Sequence, residues 1–295
     1  MKSGFVSFVG RPNVGKSTLL NTIIGKKVAI ATNKPQTTRN LIQGIYNDPD
    51  SQIVFVDTPG IHKPNNKLGS VLNRQAYYTF DEVDVVVLLV DGSEQLGTGD
   101  KFVIERLKEV KQPVILVINK IDKLSKEQIY LKIKEYSELY DFKEIIPLSA
   151  MKNSNVKELI KVLKEYLPVG EQMFDEELYT NSSERFMVSE MIREKVFNLT
   201  EQEVPHSLTC VVEEMKFNRN SVSIIASIIV DRDSLKKIII GARGSKIKQI
   251  GIEARKDIEN LLGKKVFLEL YVRTIEKWRD KEKYLMEFGY YDFEQ

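Results

Sequence analysis

A glycine-rich loop near the start of the chain has the residue types and the spacing that bind phosphate groups. Residues 10–17 read GRPNVGKS, which fits the pattern G-x-x-x-x-G-K followed by Ser or Thr, between an apolar strand and a helical stretch. Glycines let successive backbone N–H groups surround phosphate oxygens, and the following helix N-terminus favours negative charge. Lys16 is expected to reach the β- and γ-phosphates, and Ser17 to bind Mg²⁺. The predicted contacts in this loop are Gly10, Asn13, Val14, Gly15, Lys16, Ser17 and Thr18.

Three further motifs follow predicted apolar strands, at the strand ends where ligands bind in open α/β sheets. In DTPG, the Asp57 carboxylate can hold Mg²⁺ through water, and Gly60 can donate its N–H to a γ-phosphate. In NKID, the Asp122 carboxylate can accept two N–H groups from guanine, whereas adenine would leave it buried and unpaired. In LSA, a backbone N–H can meet the guanine carbonyl. The sequence therefore predicts a guanine-nucleotide site that also includes Asn119, Lys120, Ser149 and Ala150.

The elements that must position these motifs alternate between apolar strands and helical stretches. Strands that are apolar throughout and separated by helices indicate a parallel sheet covered on both faces. The second and third strands are joined by only six residues, NDPDSQ, so that pair is expected to be an antiparallel hairpin. The predicted strands are residues 5–9, 41–46, 53–56, 85–90, 114–118 and 145–148, and the longer helices are 68–80, 100–110, 126–140 and 156–167.

A second region begins after a segment with proline, glycine and acidic residues, PVGEQMFDEELYTNSS. Its predicted order is a helix (183–198), two strands (207–217 and 222–230), a helix, the tetrapeptide GARG, a helix and a strand (266–272). A G-x-x-G loop alone is more often a helix C-cap turn, but within this order it is typical of a KH domain, which clamps single-stranded RNA. Residues 232–256 carry eight basic residues against two acidic ones. The predicted RNA contacts are Gly241, Ala242, Arg243, Gly244, Lys246 and Lys248.

The nucleotide motifs resemble those of the translation-factor-related GTPases, over roughly the first 168 residues. Nearly the whole chain resembles the Era family, bacterial GTPases with a C-terminal KH domain, through KPQTTR, DTPGIH, NKID, SA, IIIGARGSKIKQIG and YVRTIEKWRDKEKYL. We therefore expect a P-loop GTPase domain (residues 1–168) with a mixed, mostly parallel six-stranded sheet and helices on both faces. A linker (169–181) and an α+β KH domain with a C-terminal helix (182–295) are expected to follow.

The resemblance implies GTP and GDP with Mg²⁺ as cofactors, Mg²⁺-dependent GTP hydrolysis, and binding to small-subunit ribosomal RNA near its 3′ end in support of small-subunit assembly. It assigns residues 34–40 to the first switch loop, in which Thr38, in preference to Thr37, completes a magnesium shell with Ser17 and Asp57. Lys16, Thr38 and Gly60 are then the expected catalytic residues.

The residue after Gly60 is Ile61, where many GTPases have a glutamine that orients the attacking water. An apolar side chain cannot do this, so hydrolysis is expected to be slow or to be helped from elsewhere. The resemblance is to a branch with a hydrophobic residue at this place, whose members with an asparagine like Asn13 often use K⁺. His62 is a candidate for the chemistry, but an exposed switch-loop histidine is more often a bystander.

Composition bounds the remaining possibilities. The 44 basic residues nearly balance 42 acidic ones, which argues against a wholly basic nucleic-acid binder. One cysteine excludes an internal disulfide and fits a reducing compartment, and the longest apolar run is too short to cross a membrane. A cytoplasmic monomer is expected, with peripheral association at the inner face of the cell membrane left open. The C-terminal residues Trp278, Leu285, Met286 and Phe288 are expected to pack on the KH sheet, in preference to stacking on bases.

Two alternatives remain open at this stage. In one, the protein is mainly an RNA-binding assembly or chaperone module, and GTP is a structural ligand. In the other, it is a GTPase that associates with a membrane or a protein partner, since a basic cluster also suits anionic lipid.

Overall fold

The structure, a computed structural model, describes residues 1–32, 34 and 36–292. It divides into two compact units. The first comprises Met1–Ala31, Gln36–Asn65 and Gly69–Asn181, and the second is built mainly from Ser182 onward. No helix in the described part of the chain is long and apolar enough to cross a membrane.

The first unit is a six-stranded sheet in the order β2-β3-β1-β4-β5-β6. Neighbouring strands run parallel except at the β2–β3 hairpin, as the short connection predicts. The central strands are buried along their whole length, because helices cover both faces. The strands are β1 (Lys2–Gly10), β2 (Ile42–Asp48), β3 (Ser51–Asp57), β4 (Val85–Asp91), β5 (Val114–Asn119) and β6 (Glu144–Pro147).

The helices of this unit follow the predicted order. The predicted helices over 100–110 and 126–140 end three residues early, at Leu107 and Ser137. Tight turns follow each end, in which the Val110 N–H donates to the Leu107 carbonyl at 3.1 Å and the Leu139 N–H to the Tyr136 carbonyl at 3.0 Å. The helices are α1 (Lys16–Ile24), α2 (Lys67–Glu82), α3 (Thr98–Leu107), α4 (Lys126–Ser137) and α5 (Val156–Tyr166).

The segment expected to be a linker, residues 169–181, lies along the outer edge of this sheet. The Ile45 N–H of β2 donates to the Tyr179 carbonyl at 3.0 Å, so the segment continues the sheet beyond β2. The Gln52 side chain, which is fully buried, accepts from the N–H groups of Met173 (2.7 Å) and Phe174 (2.9 Å) and donates to the Phe174 carbonyl (2.8 Å). A buried glutamine therefore fastens the segment to the first unit.

The second unit has the helix–strand–strand–helix–loop–helix–strand order predicted for a KH domain. Its three strands pair in the order β7-β8-β9, antiparallel between β7 and β8 and parallel between β8 and β9. Buried side chains of the sheet and of all three long helices form one apolar core. The elements are α6 (Glu184–Leu199), β7 (Leu208–Phe217), β8 (Ser221–Val230), α7 (Asp233–Ile240), α8 (Ser245–Leu262) and β9 (Lys265–Thr274).

The C-terminal stretch is not one continuous helix. Lys277 has a positive φ of 52°, which interrupts the helix, so a short 3₁₀ turn precedes helix α9 (Glu282–Glu287). Trp278 and Leu285 are fully buried, and the Trp278 indole N–H donates to the Ser207 carbonyl at 3.2 Å. The rings of Trp278 and Phe288 are 5.7 Å apart. The expectation of packing was wrong for Met286, which is 55% exposed.

Candidate functional site

The phosphate loop lies between β1 and α1 and depends on two glycines. Gly10 has a φ of 151°, and a Cβ there would lie 2.4 Å from the Leu89 carbonyl oxygen. Gly15 has a φ of 102°, and a Cβ there would lie 2.3 Å from the Asn119 side-chain nitrogen. Neither position can hold a side chain, so the backbone curls closely against β4 and β5. A loop backbone of this kind can bring successive N–H groups round a phosphate.

Lys16 is buried beneath this loop. Its Nζ donates to the carbonyls of Gly10 (3.4 Å) and Arg11 (3.2 Å). Burial lowers the pKa of Lys16 to about 8, against the opposing pull of the Asp57 carboxylate. Long hydrogen bonds to two neutral carbonyls leave the ammonium group weakly compensated, and phosphate oxygens would compensate it better. The position suits the predicted contact with phosphate.

Three oxygen-bearing side chains meet next to Lys16. The Ser17 hydroxyl lies 2.6 Å from Asp57 Oδ2 and 2.8 Å from the Thr38 hydroxyl, and Thr38 donates to the same Oδ2 at 3.2 Å. The second carboxylate oxygen, Oδ1, is buried and has no hydrogen-bond partner among the described residues. Burial raises the pKa of Asp57.

This cluster fits Mg²⁺, which takes hard oxygen ligands and keeps several waters. A cation there would compensate the buried carboxylate and its unpartnered oxygen. The structure brings Thr38 to the cluster together with Ser17 and Asp57, in line with the preference for Thr38 over Thr37. Pro35 of the predicted switch loop lies outside the described residues.

Asn119 and Lys120, at the end of β5, hold the loops of the site together. The Asn119 amide donates to the Val14 carbonyl at 2.8 Å, and its oxygen accepts the Ala150 N–H at 3.0 Å. The Lys120 ammonium group donates to the Asn13 carbonyl at 2.8 Å and to Asp91 Oδ2 at 2.5 Å. Both residues therefore connect the phosphate loop to the region predicted to bind guanine.

Asp122 is exposed, with its carboxylate oriented by a neighbour. The Ser149 hydroxyl donates to Asp122 Oδ1 at 2.5 Å. The backbone N–H groups of Ser149 and Ala150 donate to the Ser154 carbonyl (3.1 Å) and to Asn119 Oδ1 (3.0 Å). Sequence reasoning selected Ser149 for its backbone, and the structure adds its hydroxyl as the group that orients Asp122.

Gly60 and Ile61 follow β3 on the other side of the phosphate loop. A Cβ on Gly60 would lie 2.7 Å from the Pro12 nitrogen, so only glycine fits there. The Ile61 N–H donates to the Gly10 carbonyl at 3.0 Å, while its side chain, 1% exposed, packs in the apolar core. The Ile61 side chain therefore cannot orient a water molecule, as its type predicts.

Sequence reasoning missed Asp91, the partner of Lys120. Burial alone would raise the pKa of Asp91, but hydrogen bonds from Lys120 and Ser93 outweigh it and hold the pKa below its ordinary value. The available signal was its position, because Asp91 ends the apolar strand VVVLLVD just as Asp57 ends β3.

The GARG loop joins α7 to α8 through a backbone that glycine makes possible. Gly241 and Gly244 have φ values of 72° and 76°, and Arg243 has a φ of 50°. A Cβ on Gly241 would lie 2.7 Å from the Lys246 Cβ. The loop is thus more than a helix C-cap, because three of its four residues have a positive φ at a place where a phosphate backbone can approach closely.

A groove of about 300 Å³ lies beside this loop, between α8 and β9. Apolar side chains and two cations, Lys248 and Arg255, line it. Bases need an apolar surface and phosphates need cations, so the groove matches both parts of a single-stranded RNA. Arg255 was counted in the basic cluster but was missed as a contact. The lining residues are Ile247, Lys248, Gly251, Ile252, Arg255, Leu268 and Leu270.

Comparison with known protein families supports both the GTPase domain and the KH domain. Residues 5–120 match the family model described as 50S ribosome-binding GTPase, and residues 203–279 match the model of the KH domain. The fold and the two sites thus define a GTPase joined to a KH domain.

Two solved structures of Era superpose on nearly the whole chain, each with a TM-score of 0.95. One is a point variant of Era from Aquifex aeolicus bound to GDP and aluminium fluoride, 40% identical, which covers 98% of this chain and 99% of its own. The other is Era in complex with MgGDPNP and nucleotides 1506–1542 of 16S ribosomal RNA, 41% identical with the same coverage. The chain belongs to the Era family.

Proposed function

We propose that this protein is a Mg²⁺-dependent GTPase that binds small-subunit ribosomal RNA near its 3′ end through its KH domain and assists assembly of the small ribosomal subunit. The observation that carries the proposal is the combination, in one chain, of the Ser17–Thr38–Asp57 cluster with a groove near the GARG loop that apolar and cationic side chains line. The Era structures with guanine-nucleotide analogues and with 16S ribosomal RNA support both parts.

In the nucleotide site, different residues are proposed to bind the phosphates, Mg²⁺ and the guanine base. The phosphate-loop N–H groups and Lys16 bind the phosphates, and Gly60 donates its N–H to the γ-phosphate. Ser17, Thr38 and Asp57 hold Mg²⁺, which neutralises charge on the phosphates. Asp122 reads guanine, while Asn119 and Lys120 keep the surrounding loops in register.

Hydrolysis by the isolated protein is expected to be slow. Ile61 is in the core and supplies no group to the attacking water, so catalysis rests on positioning and charge stabilisation. Intrinsic rates of related GTPases are about 10⁻⁴ to 10⁻³ per second. K⁺ should accelerate the reaction more than Na⁺ if Asn13, which is exposed at the mouth of the phosphate loop, has the role implied by the family.

The RNA site is proposed to extend from the GARG loop along the groove. The loop backbone and Arg243 approach the phosphates, and Lys246 and Lys248 follow on the first turn of α8. Ile252 remains 53% exposed beside Arg255, which leaves an apolar surface for bases within reach of a cation. A protein that acts on small-subunit RNA in this way belongs in the cytoplasm, and nothing in the proposed chemistry requires more than one copy.

The test is a double variant in the loop, Ala242→Asp with Arg243→Asp. It keeps both glycines, so the fold should persist, while two carboxylates face the RNA phosphates. RNA affinity should fall at least tenfold, with a shallower dependence on salt because fewer counterions are released. GTP affinity and basal hydrolysis should stay within twofold of wild type.

A matched control is Lys126→Asp with Tyr130→Asp, which makes the same change of charge on exposed residues of α4. If the loop variant and this control bind RNA with equal affinity, the assignment of the GARG loop to RNA binding is wrong.

Binding of wild-type protein to RNA should also be measured by anisotropy, once with a GTP analogue and once with GDP. Equal RNA affinities in the two states would favour GTP as a structural ligand, because a ligand that binds both states equally shifts no population.

Anionic vesicles in competition with RNA complete the experiment. Displacement of the protein from RNA by vesicles of anionic lipid, with no displacement by neutral vesicles, would favour the membrane-associated alternative, with the same cations as the contact.

A further inference from the structure

His62 lies between the two loops that flank the predicted γ-phosphate position. Its Nδ1 is 2.9 Å from the Gly60 carbonyl oxygen, and its Nε2 is 2.9 Å from the side-chain nitrogen of Gln36. Gln36 lies two residues before Thr38, and Gly60 lies three residues after Asp57. One imidazole ring thus joins the segments that carry two of the three proposed magnesium ligands.

The partners of the ring determine its protonation pattern. A carbonyl oxygen can only accept, so Nδ1 carries the hydrogen and donates to Gly60. An amide nitrogen can only donate, so Nε2 is the acceptor for Gln36. The neutral tautomer with hydrogen on Nδ1 satisfies both partners. Each ring nitrogen is therefore engaged with protein, which argues for a role in positioning over a role in proton transfer.

The histidine is itself held in place from helix α2. The His62 N–H donates to Asn73 Oδ1 at 3.3 Å, and the Asn73 amide donates to the His62 carbonyl at 2.6 Å. Asn73 is buried, with 6% of its surface exposed. The ring therefore projects from a fixed backbone, and the position of Gln36 follows from it.

Gln36 needs such support. Its backbone has a φ of 59°, a left-handed conformation that residues other than glycine adopt uncommonly. An unfavourable backbone conformation persists only where the surroundings stabilise it. The hydrogen bond between the Gln36 side chain and His62 is a contact that can stabilise it.

We propose that His62 is a positioning residue that latches the switch segment starting at Gln36 to the Gly60 turn, and so holds Thr38 on the magnesium cluster when GTP is bound. The inference rests on the proposed GTPase function. A triphosphate needs Thr38 and the Gly60 N–H together, whereas GDP has no γ-phosphate and does not need this closed arrangement. The latch should therefore contribute to affinity for GTP and to hydrolysis, and not to affinity for GDP.

The test compares His62→Ala, Gln36→Ala and the double variant in the full-length protein with Mg²⁺. Each single variant should weaken binding of a non-hydrolysable GTP analogue by about three- to tenfold, the size of one net hydrogen bond, with GDP affinity within twofold of wild type. Because both changes break the same contact, the double variant should be no weaker than the weaker single variant. Single-turnover hydrolysis should slow in the same order. Lys63→Ala, at the exposed next residue, is the control and should leave all three quantities unchanged.

Two results would overturn the latch. One is an unchanged ratio of GTP-analogue to GDP affinity in both single variants, and the other is a double variant whose loss is the product of the two single losses. Gln36→Ala removes only the loop end of the contact, so it keeps the test valid if His62→Ala disturbs the fold. Failure of the wild-type protein to bind any guanine nucleotide would instead contradict the proposed function.

Discussion

The Asn119 side chain donates a hydrogen bond to the Val14 carbonyl at 2.8 Å, across 105 residues of sequence. The same side chain accepts the Ala150 N–H at 3.0 Å, so one buried amide connects three loops of the nucleotide site. The contact is close because Gly15 has no side chain. Asn119 thus joins the loop proposed to bind phosphate to the loops proposed to bind guanine.

We expect Asn119→Ala to weaken GTP and GDP alike. The change removes three hydrogen bonds, to the Val14 carbonyl and from the N–H groups of Ala150 and Lys120. Each buried group left without a partner costs about 1–3 kcal/mol. Affinity for both nucleotides should fall at least tenfold, as measured by calorimetry or fluorescent-nucleotide titration. Asn260→Ala, at an exposed residue of α8, should have no effect. Selective loss of one nucleotide would contradict the shared role.

Asp122→Asn should change which base is preferred. The carboxylate accepts N–H groups of guanine, whereas an amide can donate to the extra carbonyl of xanthine, so affinity should move from GTP toward xanthosine triphosphate. Ser149→Ala should weaken GTP binding more modestly, because it removes the hydroxyl that orients the carboxylate and keeps the carboxylate itself. Equal binding of ATP and GTP by the wild-type protein would disprove the guanine assignment.

Gly60→Ala should impair hydrolysis of GTP without impairing binding of GDP. The added methyl group would lie 2.7 Å from the Pro12 nitrogen, so the turn must move away from the phosphate loop. Its N–H would then miss the γ-phosphate, and hydrolysis should fall at least a hundredfold while GDP binding is retained. Gly170→Ala is the matched control, since its nearest neighbour, the Ser3 Cβ at 3.4 Å, allows a methyl group. Normal hydrolysis by Gly60→Ala would exclude a close role for this turn.

The Asp91–Lys120 pair should appear in the acid dependence of stability. The folded pKa of Asp91 lies below its ordinary value, so the unfolded chain takes up this proton first as pH falls. The stabilisation is therefore complete above about pH 4 and is lost as pH falls through the depressed folded pKa. Urea unfolding should give a difference in the free energy of unfolding between wild type and Asp91→Asn that is constant near neutrality and becomes smaller below about pH 4. A difference that becomes larger in acid would show that the folded pKa of Asp91 is raised.

We propose that residues 169–181 are a connector fastened to the first domain and not a free tether. Gln52→Ala removes the buried side chain that binds Met173 and Phe174, and it leaves two N–H groups without partners. Protease cleavage within 173–181 should become at least tenfold faster, with cleavage elsewhere unchanged. Gln249→Ala, at an exposed position, serves as the control. Equal cleavage rates in the two variants would mean that the connector does not depend on Gln52.

Most of the fold could be predicted because apolar runs and helical spacing are local signals. The six strands of the first sheet and the hairpin between β2 and β3 follow from such runs. The nucleotide motifs could also be predicted from local sequence, because their glycines and strand-end carboxylates are identified by residue type and spacing. The break at Lys277 was not predictable, because a lysine gives no local sign that it will adopt a positive φ.

The contacts that complete the site could not be predicted from the sequence. Asn73 meets His62 across 11 residues, and Asp91 meets Lys120 across 29, through placement by the packed sheet and helices. The residues around Asn73 in the sequence do not indicate which backbone groups its side chain will bind. The tautomer of His62 is likewise determined by its two partners and not by the residue itself.

The strip of chain that completes the first sheet has a consequence for synthesis on the ribosome. Thr180, whose hydroxyl donates to the Gln43 carbonyl of β2, is made 137 residues after its partner. At a translation rate of about 5–20 residues per second, the segment that pairs with β2 is synthesised on the order of ten seconds after β2 itself. The first domain therefore becomes complete only as translation enters the second, so the two halves of the protein mature as overlapping events.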